Sequence, residues 1–343
     1  WRWKRNTAIA SDVASTKVLN ESMAAIGSRI PASGPTIVVY NNLSWTRSDL
    51  VTLEQKQLPA HFSLTDGETG TPVRYQKSDD GTVVFVAGNV PGHGYKTFKV
   101  TARDSDPVAP PSITATASTL ENKYFKVTFD QAGNVTSILD KQHGNKEIVD
   151  TAAPQPLNQY VLYKEGALAG QVTTATLAAS AGPVLGCMSA DGTATGLDSL
   201  RRKVVLYDAL PRIDIINDAV KGKQIANVEM GYFAFPLKVD NFMLRHEMPT
   251  GDMKPGVTSD INDPNTEQFF TSSTAFSTVN RWIDASNQRD WGVTFAALNA
   301  PLVSYGRPDI GVSKGGWDTS YNAPKPWIYS MAFNNEWQTN FQK

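Results

Sequence analysis

Residues 121–150, ENKYFKVTFDQAGNVTSILDKQHGNKEIVD, alternate Phe125, Val127 and Phe129 with Tyr124, Lys126 and Thr128, turn at Ala132-Gly133-Asn134, and resume at Val135. Successive side chains on a strand point to opposite faces, so this alternation about a Gly-Asn turn predicts an antiparallel hairpin. The pattern continues downstream. QYVLYKEG, QVTTATLAA, LRRKVVLYDAL, RIDIINDAV, VEMGYFAFPLKV, FMLRHEMP, RWIDASNQ, WGVTFAALN and IYSMAFNN all read as strands, with hardly a helical period among them. So many strands over residues 118–343 predict a large two-sheet β-sandwich.

Upstream the runs are shorter. TIVVY, DLVTLEQ, HFSLTD, VRYQKS, TVVFVAG and YKTFKVTA are separated by Asp66-Gly67, Asp80-Gly81 and Pro91-Gly92, the turn chemistry of antiparallel strands. Residues 36–105 are therefore expected to form a small immunoglobulin-like sandwich, and the proline-rich residues 106–117 a linker. Earlier still, Ile9, Val13, Val18, Leu19, Met23 and Ile26 recur mostly every three to five residues, which predicts an amphipathic helix with one buried stripe. PASGP at 31–35 ends it, so residues 1–35 are read as a helical segment and linker.

Lys and Arg number 32 against 33 Asp and Glu, a formal charge of −1, so there is no field to gather nucleic acid or an anionic membrane. No run reaches the roughly 18 to 20 apolar residues of a membrane span, and WRWKRNTAIA lacks the apolar core of a signal peptide. Cys187 stands alone, which excludes an internal disulfide and leaves the compartment open. Asn20, Asn42 and Asn134 lie in Asn-x-Ser/Thr triplets, which are common by chance.

The four histidines, His61, His93, His143 and His246, are scattered, without a His-x-Asp or His-His-Asp pattern, so no metal site is expected. His93 and His143 sit in glycine-containing turns and read as solvated. His246, followed by Glu247 and Asp252, is the one histidine singled out as a candidate sugar contact. The many carboxylates offer pairs without distinguishing any, and no phosphate loop or Gly-x-Ser-x-Gly elbow is present. No catalytic residue is expected in the chain.

Sugars are held by aromatic faces against ring C–H bonds and by amides against hydroxyls. NNEWQTNF at 334–341 supplies such a set in Asn334, Asn335, Trp337 and Asn340, although Trp337 reads equally as a core anchor. Trp317, in a Gly/Pro-rich loop, is placed to reach over a neighbouring site. Trp282 and Trp291 read as core or interface. VVYNNLSWTRSDLV at 38–51 packs Trp45, Arg47, Asn41 and Asn42 into one turn; a sugar site is one reading, and a plug sealing the end of the sandwich at a domain junction is the expectation.

Several phrases, in order, resemble the C-terminal half of family-38 glycoside hydrolases, the α-mannosidases. They are VVYNNLSWTRSDLV, VPGHGYKTF at 90–98, ENKYFKVTFDQAGNVTSILDK, LNQYVLY at 157–163, QFFTSSTAFSTVNRWIDASNQRDWGVTFAALNAPLVSYG and IYSMAFNNEWQTNF. The resemblance implies a mainly β chain: the N-terminal helix as the tail of a helical bundle, a small immunoglobulin-like sandwich, and a large galactose-mutarotase-like supersandwich over 118–343. It also implies a β/α barrel, absent from this chain, that carries the zinc ion and the aspartate nucleophile. The expected function is thus that of the non-catalytic part of a mannoside hydrolase, docked on its own catalytic domain and shaping its sugar pocket. A stand-alone carbohydrate-binding or scaffold module is the alternative, and a mutarotase-like epimerase using His246 a further one.

Overall fold

The computed structural model of the chain describes residues 2–223, 228–256, 273–308 and 321–335. The protein is mainly β with one long helix, as the resemblance implies, and divides into two compact units, Trp1–Pro110 and Pro111–Lys343.

In the first unit, helix Arg2–Gly27 buries none of its residues. Ile9, Val13, Val18, Leu19 and Ile26, expected as a buried stripe, are all exposed. The reason lies in their spacing: at 3.6 residues per turn the apolar positions spread over more than half the circumference, so no single face gathers them. The tyrosine hydroxyl of Tyr40 donates to the Met23 carbonyl at 3.2 Å, tying the end of the helix to the first strand.

Seven strands follow in two sheets. One has the spatial order Thr36–Asn41, Gly94–Ala102, Phe62–Asp66, Pro72–Val73; the other is Arg47–Glu54, Thr82–Val90, Tyr75–Lys77. Both sheets turn alternate residues inward, and Phe62, Leu64, Val83, Phe85, Phe98 and Val100 fill the space between them. Phe85 and Phe98 meet edge to face at 4.9 Å. The turns fall where the Asp-Gly and Pro-Gly pairs predict. Gly67 is required at its turn, because a Cβ there would lie 2.1 Å from the Thr97 hydroxyl.

Among the described residues the second unit holds four sheets. The hairpin of the opening stretch forms, pairing Phe125–Phe129 with Val135–Asp140 in the register Phe125↔Asp140 and Val127↔Ile138. The six-stranded sheet runs Ala167–Gln171, Tyr160–Lys164, Glu229–Pro236, Trp327–Asn334, Leu302–Tyr305, Phe276–Thr278. Strand Glu229–Pro236 is buried at every position, which only a sheet covered on both faces allows. Phe233 and Phe235 face the main core, while Met230, Tyr232 and Ala234 face a second cluster with Val161, Tyr329 and Met331. A four-stranded sheet, Thr176–Ser180, Leu185–Ala194, Leu197–Tyr207, Ile213–Lys221, adds Leu200, Val204 and Leu206 to the main core. The other, Gly251–Met253, Met243–Met248, Trp282–Ser286, Gly292–Ala296, adds Leu244, Ile283 and Ala285.

The core-facing row of Leu197–Tyr207 contains a charge. Arg202 is only 2% exposed. Its guanidinium donates to the Asn134 side-chain oxygen at 2.6 Å, the Asn158 carbonyl at 2.9 Å and the Ala132 carbonyl, so it clamps the hairpin turn and Asn158 to strand Leu197–Tyr207. Burial lowers its pKa from 12.5 to about 10, which still leaves it charged at neutral pH. Asn134 is 1% exposed, which closes that glycosylation triplet in the folded chain.

Candidate functional site

Strand Met243–Met248 places His246 opposite Ile283 on one neighbour and Met253 on the other. The alternation that turns Leu244 inward also turns His246 inward, and the imidazole is 1% exposed. The Tyr305 hydroxyl lies 2.8 Å from His246 Nδ1, and the two rings stack with centroids 5.9 Å apart and planes inclined by 6°. Burial, aided by the nearby Arg245 charge, lowers the His246 pKa to about 4. Burial also pushes the Tyr305 hydroxyl above the ordinary phenol range. The hydroxyl therefore keeps its proton, and the two rings form a buried, uncharged hydrogen-bonded pair at neutral pH.

Beside this pair lies a cavity of about 170 Å³, lined among others by Phe242, Leu244, Thr274, Tyr305 and Asn322. Pockets for drug-sized ligands start at roughly 300 Å³, so this one suits a few waters or a very small solute rather than a glycan chain.

The acidic neighbours of His246 are occupied. Glu247 and Asp252 face each other across the hairpin. Arg281 Nε sits 3.0 Å from both Glu247 carboxylate oxygens. Arg245 grips Asp252 through Nε at 2.5 Å and Nη2 at 3.2 Å. Hydrogen bonds from Arg281 hold the Glu247 carboxyl below its ordinary value, and those from Arg245 do the same for Asp252. A general acid for glycoside cleavage needs its pKa raised, the opposite direction.

The remaining singled-out residues separate. Asn335 extends the ladder between two central strands: its N–H donates to the Glu229 carbonyl at 3.0 Å, and its side-chain oxygen accepts from the Glu229 N–H. Asn334 is exposed at the end of Trp327–Asn334, its amide 3.1 Å from the Met331 sulfur. Trp317, Trp337 and Asn340 lie outside the described residues. Trp291 is buried, with the Lys146 ammonium 4.2 Å above its ring, as a core aromatic.

Among the described residues no three His, Cys, Asp or Glu side chains are grouped to hold a metal ion, so these residues do not fit the zinc that the resemblance implies. The other histidines serve locally. His143 meets the Asp140 carboxylate at 2.7 Å, and His93 occupies a left-handed turn position at φ 49°. His61 joins a cluster about Asp106, whose carboxylate also receives Lys77 Nζ at 2.6 Å and the Tyr75 hydroxyl at 2.8 Å. Among the described residues no helix is long and apolar enough to cross a membrane.

Trp45 departs from expectation. It is 61% exposed, so it does not plug the sandwich. Sequence reasoning also missed Tyr305, 59 residues from its histidine partner, because nothing local in LVSYG announces that contact. Arg202 had a signal that went unread: it falls in phase with Leu200, Val204 and Leu206.

The architecture therefore defines a two-unit, sheet-rich chain in which His246 is buried against Tyr305. No protein-family model matches it. In an alignment 173 positions long that takes in 41% of the chain, the sequence is 27% identical to the lysosomal alpha-mannosidase of Dictyostelium discoideum, of which the match covers 16%. An alpha-mannosidase from Enterococcus faecalis V583 has a similar structure over 91% of the chain and 41% of its own length, with a TM-score of 0.60 and 13% identity. A glycosyl hydrolase family 38 protein from Enterococcus faecalis is similar over 87% of the chain and 40% of its own, with a TM-score of 0.57 and 12% identity. At such identities the likeness is one of fold, and the chain spans less than half the length of each of these proteins.

Proposed function

We propose that the chain is the non-catalytic, sheet-rich portion of an α-mannosidase-like retaining glycoside hydrolase. In this reading, mannosides are the substrate class. The zinc ion and the nucleophilic carboxylate belong to a barrel outside this chain, and these β units dock on that barrel and shape its sugar pocket. The observation that carries the reading is the asymmetry of coverage: the fold likeness takes in 91% of this chain but 41% of the enterococcal enzyme. Two features support it. Glu247 and Asp252 are each neutralised by an arginine, so neither is poised as an acid. The exposed apolar positions of helix Arg2–Gly27 suit a helix that packs within a larger bundle.

The test is turnover of an aryl α-mannoside by the isolated chain, with and without added zinc. The spontaneous rate in both conditions is expected. Zinc-dependent hydrolysis would overturn the proposal. A mutarotase-like reading is disfavoured, because it needs an accessible histidine base and His246 has Nδ1 engaged by Tyr305 in the core.

A further inference from the structure

The segment Asn41–Arg47 is held more firmly than a connecting loop needs to be. The Asn41 amide donates to the Trp45 carbonyl at 2.8 Å and to the Val90 carbonyl at 3.1 Å, while its side-chain oxygen accepts from the Leu43 N–H at 3.0 Å. The His93 N–H donates to the Leu43 carbonyl at 2.7 Å. Gly92 presses its backbone against the loop so closely that a Cβ there would lie 2.5 Å from the Ser44 carbonyl carbon and oxygen. The side chain presented by this framework, Trp45, is nevertheless 61% exposed. Leaving an indole in water does nothing for folding, whereas a rigid exposed aromatic loses little entropy on capturing a ligand.

The surroundings select the ligand. Asn42, Ser44 and Thr46, which flank Trp45 along the chain, are exposed and polar, whereas a protein hot spot is normally ringed by contacts that exclude water. Arg47 is paired with Asp49, so its charge is answered within the loop. An exposed indole on a loop whose other exposed residues carry amide and hydroxyl groups suits a pyranose ring, whose C–H face stacks while its hydroxyls hydrogen-bond. We propose that Trp45 and its loop form a contact site for a neutral pyranoside on the small sandwich, one that tethers a glycan without cleaving it. The site rests on this loop alone and does not depend on the proposed parent enzyme.

Calorimetric titration of the full chain with methyl α-mannoside and with a linear α-linked mannotriose tests it. Saturable binding is expected, weakened about tenfold by Trp45→Ala and less by Trp45→Phe, with the thermal midpoint of both variants unchanged because the indole is not part of the core. Absence of saturable binding in the wild type, or equal affinity in Trp45→Ala, overturns the proposal. So does a concentration-dependent self-association that Trp45→Ala abolishes without any sugar response, since the indole would then be a protein contact. Failure leaves the aryl mannoside assay untouched, because that assay reads turnover and not binding.

Discussion

Replacing Arg202 by methionine sets two large effects against each other. Removing the guanidinium relieves the cost of burying it: its pKa falls from 12.5 to about 10, and at about 1.4 kcal/mol per unit that is on the order of 3 kcal/mol. Buried charges can for this reason be replaced by apolar residues without loss in some proteins. Here, however, the Ala132 and Asn158 carbonyls and the Asn134 side-chain oxygen would lose their donor inside the core. Each orphaned acceptor costs roughly 1 to 3 kcal/mol, about 6 in all, so the acceptors outweigh the relief. Arg202→Met should destabilise the second unit by about 3 kcal/mol, equivalent to a fall of about 6 to 12 °C in its thermal midpoint. Near-UV circular dichroism on heating, with the small sandwich as an internal reference, reads the change. An unchanged or raised midpoint would refute the reasoning.

Two other predictions follow from titrating groups. The ring protons of His246, followed by NMR, should titrate near pH 4 rather than 6.5; because a lowered histidine pKa means the unfolded chain binds the proton more readily, this histidine weakens the fold as pH drops through 6.5 towards 4. A midpoint near 6.5 would show that the imidazole is open to water. Burial would raise the Asp106 carboxyl, but hydrogen bonds from Lys77, Tyr75 and His61 overcome it and hold the pKa below the usual 3.8. A depressed carboxyl pKa adds stability that is present above the unfolded value and lost as pH falls through the folded one. Asp106→Asn should therefore lower the midpoint of the small sandwich at pH 7, with the gap to wild type closing below pH 4; a gap independent of pH would contradict the cluster's ionic character.

The sheets were legible because their determinants are local. Phe125, Val127 and Phe129 show their inward face by alternation, and Asp80-Gly81 or Gly133-Asn134 show where the chain must reverse. The helix is legible as a helix, and its exposure is legible too once its apolar positions are placed at 3.6 residues per turn, where they gather on no single face. His246 stands out in sequence through Glu247 and Asp252, yet its surroundings are set by Tyr305 and Arg281, which arrive from far away in sequence, together with its own neighbour Arg245. The turn sequence around Trp45 predicts a seal, and its exposure is not legible there, because the contacts of Asn41 with Val90 and of Gly92 with Ser44 that hold the loop join residues distant in sequence.

In the proposed function these sheets accompany glycoside cleavage without performing it. Retaining glycosidases pass through a covalent glycosyl-enzyme, so a fluorinated α-mannosyl fluoride that traps this intermediate marks whichever chain holds the nucleophile. Intact-mass measurement after incubation with zinc should find the chain unmodified. A stoichiometric gain of one fluoromannosyl group, mapped to a carboxylate of this chain, would contradict the claim.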